Sequence, residues 1–137
     1  MGRANSFILF LESDDRIVHK RVTDREIAIY LKDGSSAELS EDSGDVWKKV
    51  LEEDFGIEVT GTLFWFNRLK AGFGGEGKGS GRLLMQELVK ILAQKDITVL
   101  NHVNPYGSLS MSQLRAFYKK YGFVDIGRGG MIRYPKT

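Results

Sequence analysis

Apolar residues fall in short strand-like runs up to about residue 70 and at helical spacing in two later segments. Residues 5–12 (NSFILFLE) form a compact apolar run that ends in Ser13-Asp14-Asp15, the pattern of a strand and a turn. In residues 25–31 (REIAIYL), Ile27, Ile29 and Leu31 share one face. Asp33-Gly34 then signals a hairpin whose return strand covers residues 36–39. Residues 40–44 read as a loop, and Asp45 as the cap of a short helix carrying Trp47, Val50 and Leu51 on one face, with Gly56 as its stop. From 57 to 69 (IEVTGTLFWFNRL), β-branched and aromatic residues predict a strand bent at Gly61. Leu83, Leu84, Leu88, Ile91 and Leu92 predict an amphipathic helix over 79–95. Residues 97–103 predict a strand and Asn104-Pro105-Tyr106-Gly107 a turn. Ser110 and Gln113 stand at capping-box spacing, with Leu109 and Leu114 placed as a hydrophobic staple. The helix they start runs through Leu114, Phe117, Tyr118 and Tyr121 and stops at Gly122. Two strands, near 123–126 and 131–134, flank a Gly127-Arg128-Gly129-Gly130 turn. This order predicts a single α/β (α+β) domain over 1–137, with a mixed sheet flanked by helices.

The composition narrows the chemistry. There are no cysteines and two histidines, His19 and His102, in 137 residues. A disulfide framework, a zinc ribbon and a thiol nucleophile are excluded, and a histidine-based metal cluster is disfavoured. No metal is therefore expected. Residues 7–11 are far too short to cross a bilayer, and no long apolar core follows the basic residue near the start. A cytoplasmic location without membrane contact is expected. Residues 1–69 hold nine Lys/Arg against fourteen Asp/Glu, and residues 70–137 eleven against four. The basic half suits a polyanionic ligand. No basic run or nucleic-acid motif accompanies it, so nucleic acid is not an expected partner.

Six of the sixteen glycines lie between residues 72 and 81, where the basic half begins. A glycine-rich turn from a strand into a helix is a general anion site. The first amides of the helix are unpaired, its dipole favours negative charge, and absent side chains let phosphates approach. Residues 72–79 (GFGGEGKG) approach the P-loop pattern, but Gly79 stands where a hydroxyl must bind Mg²⁺. Gly72, Gly74 and Gly77 satisfy G-x-G-x-x-G, yet the acidic residue expected about twenty positions later is missing from the end of the next strand. In residues 76–81 (EGKGSG), glycines alternate directly into the helix.

Residues 76–81 and the later segment 117–123 (FYKKYGF) together resemble the GNAT superfamily of acetyl-CoA-dependent N-acetyltransferases, in its pyrophosphate loop and its F-Y-x-K-x-G-F helix end. The resemblance covers residues 62–137, and the segments NPYGS and FYKKYGF are similar to those of small phage-encoded members. It implies a mostly antiparallel sheet, splayed in the middle to admit acetyl-CoA. The backbone amides of Gly77, Lys78, Gly79, Ser80, Gly81 and Arg82 would hold the pyrophosphate, and the strand ending near Leu69 would pair with the pantetheine arm. Tyr118 matches the tyrosine that protonates the leaving thiolate. Three positions depart from the family pattern. Glu76 replaces Gln or Arg, Met111 stands where an asparagine is expected, with Asn104 or Ser110 as substitutes, and the connection through NPYGSLS is longer.

The implied reaction moves acetyl to an amine, on a small molecule or a protein, by direct attack in a ternary complex. Glu58, Asp54 and His102 are conceivable general bases, while Trp47 and Trp65 read as core. The alternatives are a catalytically impaired binding protein for a partner such as a host protein, and a P-loop nucleotide binder.

Overall fold

The computed structural model describes residues 16–70, 79–103 and 110–135, with Arg68 described by its backbone alone. The expected strand over 5–12, the glycine loop up to Lys78, the turn from Asn104 and the staple residue Leu109 lie outside the described residues.

Among the described residues, seven strands form one sheet: β1 (Ile17–Val22), β2 (Glu26–Leu31), β3 (Ser36–Glu41), β4 (Thr62–Lys70), β5 (Ile97–His102), β6 (Val124–Gly127) and β7 (Gly130–Arg133). Their spatial order is β1-β2-β3-β4-β5-β7-β6, and every neighbouring pair is antiparallel except β4–β5. The parallel pair is joined through helix α2 (Ser80–Leu92), because parallel strands need a long crossover connection. The expected α+β architecture with a mixed, mostly antiparallel sheet is therefore present.

Helices cover both faces. On one, α2 buries Leu83, Leu84, Met85, Leu88 and Leu92 against Ile27, Ile29, Leu39, Phe64 and Val99. Helix α3 (Met111–Lys119) adds Leu114 and Tyr118 to the same cluster. On the other face, helix α1 (Val46–Phe55) buries Leu51 with Leu63, Leu100 and Ile132. Alternate residues of β4 and β5 thus serve opposite layers, as the pleat requires. Full burial of each large aliphatic side chain contributes about 1.5–3 kcal/mol, so α2 is the firmest anchor of the sheet.

Several local expectations change. Strand β1 was not foreseen, because His19, Lys20 and Arg21 interrupt its apolar alternation. It is held by its ladder to β2, by Lys20 reaching Glu87 of α2 at 2.7 Å and by His19 stacking on Tyr30. Strand β4 begins at Thr62, while Ile57 and Val59 pack on the α1-side cluster outside the ladder. Asp45 occupies the cap position of α1 but in left-handed conformation (φ 57°), without a side-chain capping bond. The carboxylate of Asp42 does that work instead, accepting from the amides of Trp47 at 2.8 Å and Lys48 at 3.0 Å. The capping box of α3 forms as predicted: Gln113 N donates to Ser110 Oγ at 3.2 Å and Ser110 N donates to Gln113 Oε1 at 2.8 Å.

Candidate functional site

The parallel strands stay together for four residue pairs, from Thr62↔Ile97 to Trp65↔Leu100. Past that point β4 follows β3 outward to Ser36↔Lys70, and β5 follows β7 through Asn101↔Met131 and His102↔Gly130. Opposite β3, Leu39 faces Phe66 and Glu38 faces Arg68, so Asn67 is an extra residue on β4. Such a bulge bends its strand and increases the local twist. The sheet parts here. Backbone groups of β4 beyond Trp65 that face β5 have no strand partner among the described residues, and an extended ligand carrying amides could pair with them.

A cavity of about 430 Å³ occupies the parting, within the range of small-molecule sites. Strand β4 contributes Trp65, Phe66, Asn67 and Leu69, and β5 and its end contribute Leu100, Asn101, His102 and Val103. Tyr118 reaches it from α3 and Trp47 from α1. Two of the expected site residues, Leu69 and Tyr118, thus line one cavity.

Tyr118 is held firmly. Its capping box fixes where α3 begins, and Leu114 and Tyr118, four residues apart, share the buried face. The ring packs edge-on against Phe66, Phe117 and Phe123 at centroid distances of 6.2, 5.3 and 5.7 Å. At 5% exposure it has little freedom to leave that position.

Helix α2 follows β4 in the chain and starts at Gly79, whose φ of 83° is a left-handed conformation that suits glycine. The amide of Leu83 donates to the carbonyl of Gly79 at 2.9 Å and is the first to close a helical turn. The amides of Ser80, Gly81 and Arg82 therefore have no acceptor within the helix. Arg82 is exposed beside them. A Cβ at Gly81 would lie 3.6 Å from the ring of Phe117, an ordinary van der Waals contact, so packing does not by itself demand glycine there. Ser80 is buried, and its hydroxyl donates to Asp33 Oδ2 at 2.5 Å. Asp33 also accepts from the amide of Ser35 at 2.9 Å, so the β2–β3 hairpin grips the first turn of α2. The Ser80 hydroxyl, more than any other group, holds the Asp33 carboxyl below its ordinary range. The side chain of Ser80 is thereby committed to structure, which leaves its backbone amide as the group a ligand could use. Gly77, Lys78 and Asn104 lie outside the described residues.

The opposite wall is aromatic. Trp47 and Trp65 stand 5.9 Å apart with rings tilted by 40°, resting on the cluster around Leu51 and Leu63. Both pack on the core as expected, and both also line the cavity. Of the three conceivable bases, His102 lines the cavity, whereas Asp54 and Glu58 are exposed and do not. The His102 ring lies beside Gly129, where a Cβ would come within 3.7 Å of Nε2.

Asn101 is a cavity residue that the motifs of the sequence do not mark. It is 5% exposed and lines the cavity, and its Nδ2 has no hydrogen-bond partner among the described residues. A buried donor left unmade costs about 1–3 kcal/mol. Its one sequence signal is an amide interrupting the apolar run ITVLNHV.

Among the described residues, no group of three or more His, Asp or Glu side chains is placed to hold a metal ion. No helix there is long and apolar enough to cross a membrane. No family model matches this chain, and no curated protein matches it.

Proposed function

We propose that the protein is an N-acetyltransferase of the GNAT type, moving an acetyl group from acetyl-CoA to an amine by direct attack in a ternary complex. The observation that carries this reading is the parting of β4 from β5, bulged at Asn67, with Tyr118 in the gap. The residues present suit a CoA thioester: strand backbone beyond the β4–β5 ladder for its amides, helix-start amides without an acceptor in the helix for its diphosphate, and a phenol for its sulfur. Acetyl-CoA would bring an acetyl group already activated as a thioester.

The amides of Ser80, Gly81 and Arg82 would hold the diphosphate, joined by those of Gly77, Lys78 and Gly79 as the resemblance implies. The β4 backbone from Phe66 to Leu69 would align the arm along the gap. Phenols keep their proton at neutral pH, so Tyr118 Oη can donate it to the sulfur as the carbon–sulfur bond breaks. On the other wall, Trp47 and Trp65 would flank the acceptor, and His102 can take up the proton that the amine loses. The acceptor is an amine on a small molecule or on a protein.

A second reading, a binding protein of the same fold with impaired catalysis, is favoured by the Asp33 carboxylate on Ser80. It sets negative charge against the helix start that a diphosphate would need. A thiol-release assay with acetyl-CoA and a panel of small amines and amine-bearing peptides separates the two. Amine-dependent release is expected; tight CoA binding with no release from any acceptor would favour the binding protein.

A further inference from the structure

We propose that Asn101 is the residue that recognises the acyl group, its Nδ2 donating a hydrogen bond to the carbonyl oxygen of the thioester. This rests on reading the cleft as a thioester site, and it gives a specific duty to a side chain that neither the family's motifs nor its tyrosine assigns.

Three observations meet at this residue. Asn101 is the first residue of β5 past the last β4–β5 pair, Trp65↔Leu100, so it stands at the closed end of the parting. It lines the same cavity as Tyr118. Its amide is almost wholly buried, yet Nδ2 meets no acceptor among the described residues. Buried polar groups are nearly always paired, and one left open toward a cavity marks where a ligand atom completes the set.

The direction of the cleft selects which ligand atom. The diphosphate belongs at the start of α2, which follows the outer end of β4, and Ser80 is fixed there by the β2–β3 hairpin. A ligand laid along β4 from Leu69 toward Phe66 brings its acyl end to the closed end, where Asn101 lies. A neutral amide donor is the right chemistry for a thioester oxygen. It adds no charge to a buried site and gains strength in transition states that place negative charge on that oxygen.

Calorimetric titration of the wild type, Asn101→Leu and Asn101→Ala with CoA and with acetyl-CoA tests the proposal. The wild type should bind acetyl-CoA more tightly than CoA. Both variants should lose about tenfold in affinity for acetyl-CoA, the worth of one buried hydrogen bond, and less than twofold for CoA. Asn101→Leu should also melt within about 1–2 °C of the wild type, since Nδ2 has no partner to lose among the described residues. If the leucine does not fit, the alanine variant carries the same comparison of ligands. Equal weakening of both ligands, or of neither, overturns the role of Asn101 while leaving the cleft a CoA site. A wild type that binds neither ligand removes the thioester reading and this inference with it.

Discussion

Tyr118 serves the core and the cavity with one side chain: its ring is packed among Phe66, Phe117 and Phe123 while the residue lines the parting of the strands. Removing only the hydroxyl should therefore spare the packing. Tyr118→Phe is expected to keep its CoA affinity within about twofold and to lower turnover by about a hundredfold, the usual worth of a positioned proton donor. Steady-state kinetics beside calorimetry checks this, and unchanged turnover would remove Tyr118 from the chemistry. The tyrosine was legible in the sequence because it sits in a local motif, five residues before the Phe123 that closes it. Trp47, Trp65 and Asn101 were less legible for a physical reason. Whether a tryptophan only fills a core or also walls a cavity, and whether an asparagine is paired, depends on where two distant strands separate.

Helix starts show which local rules carry over into the fold. The capping box of α3 needs only Ser110 and Gln113 and forms as its spacing predicts. At α1, Asp45 is adjacent to the first turn but left-handed, and the work passes to Asp42, beyond a 3₁₀ turn at Ser43–Asp45. Asp42→Ala is expected to cost about 1–2 kcal/mol in urea unfolding, whereas Asp45→Asn should change stability by less than about 0.5 kcal/mol. Comparable losses from the two would contradict the assignment. Strand β1 escaped the hydrophobic pattern because polar residues interrupt its alternation, and an ion pair adds to the ladder that holds it. Lys20 meets Glu87 at 2.7 Å, and Lys90 approaches the same carboxylate at 3.0 Å. Burial pushes the Glu87 carboxyl up, but the two lysines outweigh it and hold it below its ordinary value. Such a group stabilises the fold above the ordinary carboxylate pKa and loses that contribution as pH falls through the depressed value. Asp33, also depressed, acts in the same direction. The melting temperature should therefore fall steeply below about pH 4, and Glu87→Gln should show a lower melting temperature at pH 7 and a shallower acid limb. An acid limb as steep as that of the wild type would contradict this role for Glu87.

Across the whole molecule, the sheet is continuous at both ends and parted in its middle, with α2 and α3 on one face and α1 on the other. The order of most strands and helices follows from periodicity and turn residues read along the chain. The parting does not, since nothing within residues 62–70 or 97–102 taken singly tells that their pairing stops at Trp65↔Leu100. It follows from the Asn67 bulge and from β3 and β7 drawing the two strands apart. The central claim is that this parting holds a CoA thioester with its diphosphate at the start of α2. Melting the wild type in the presence of CoA, acetyl-CoA, ATP or NAD at equal concentration tests it most directly. A ligand at a hundred times its Kd stabilises the fold by about 2.7 kcal/mol, which a melting curve resolves easily. The account predicts that CoA and acetyl-CoA raise the melting temperature by several degrees and that ATP and NAD leave it unchanged. A shift with ATP and none with either CoA ligand would contradict it.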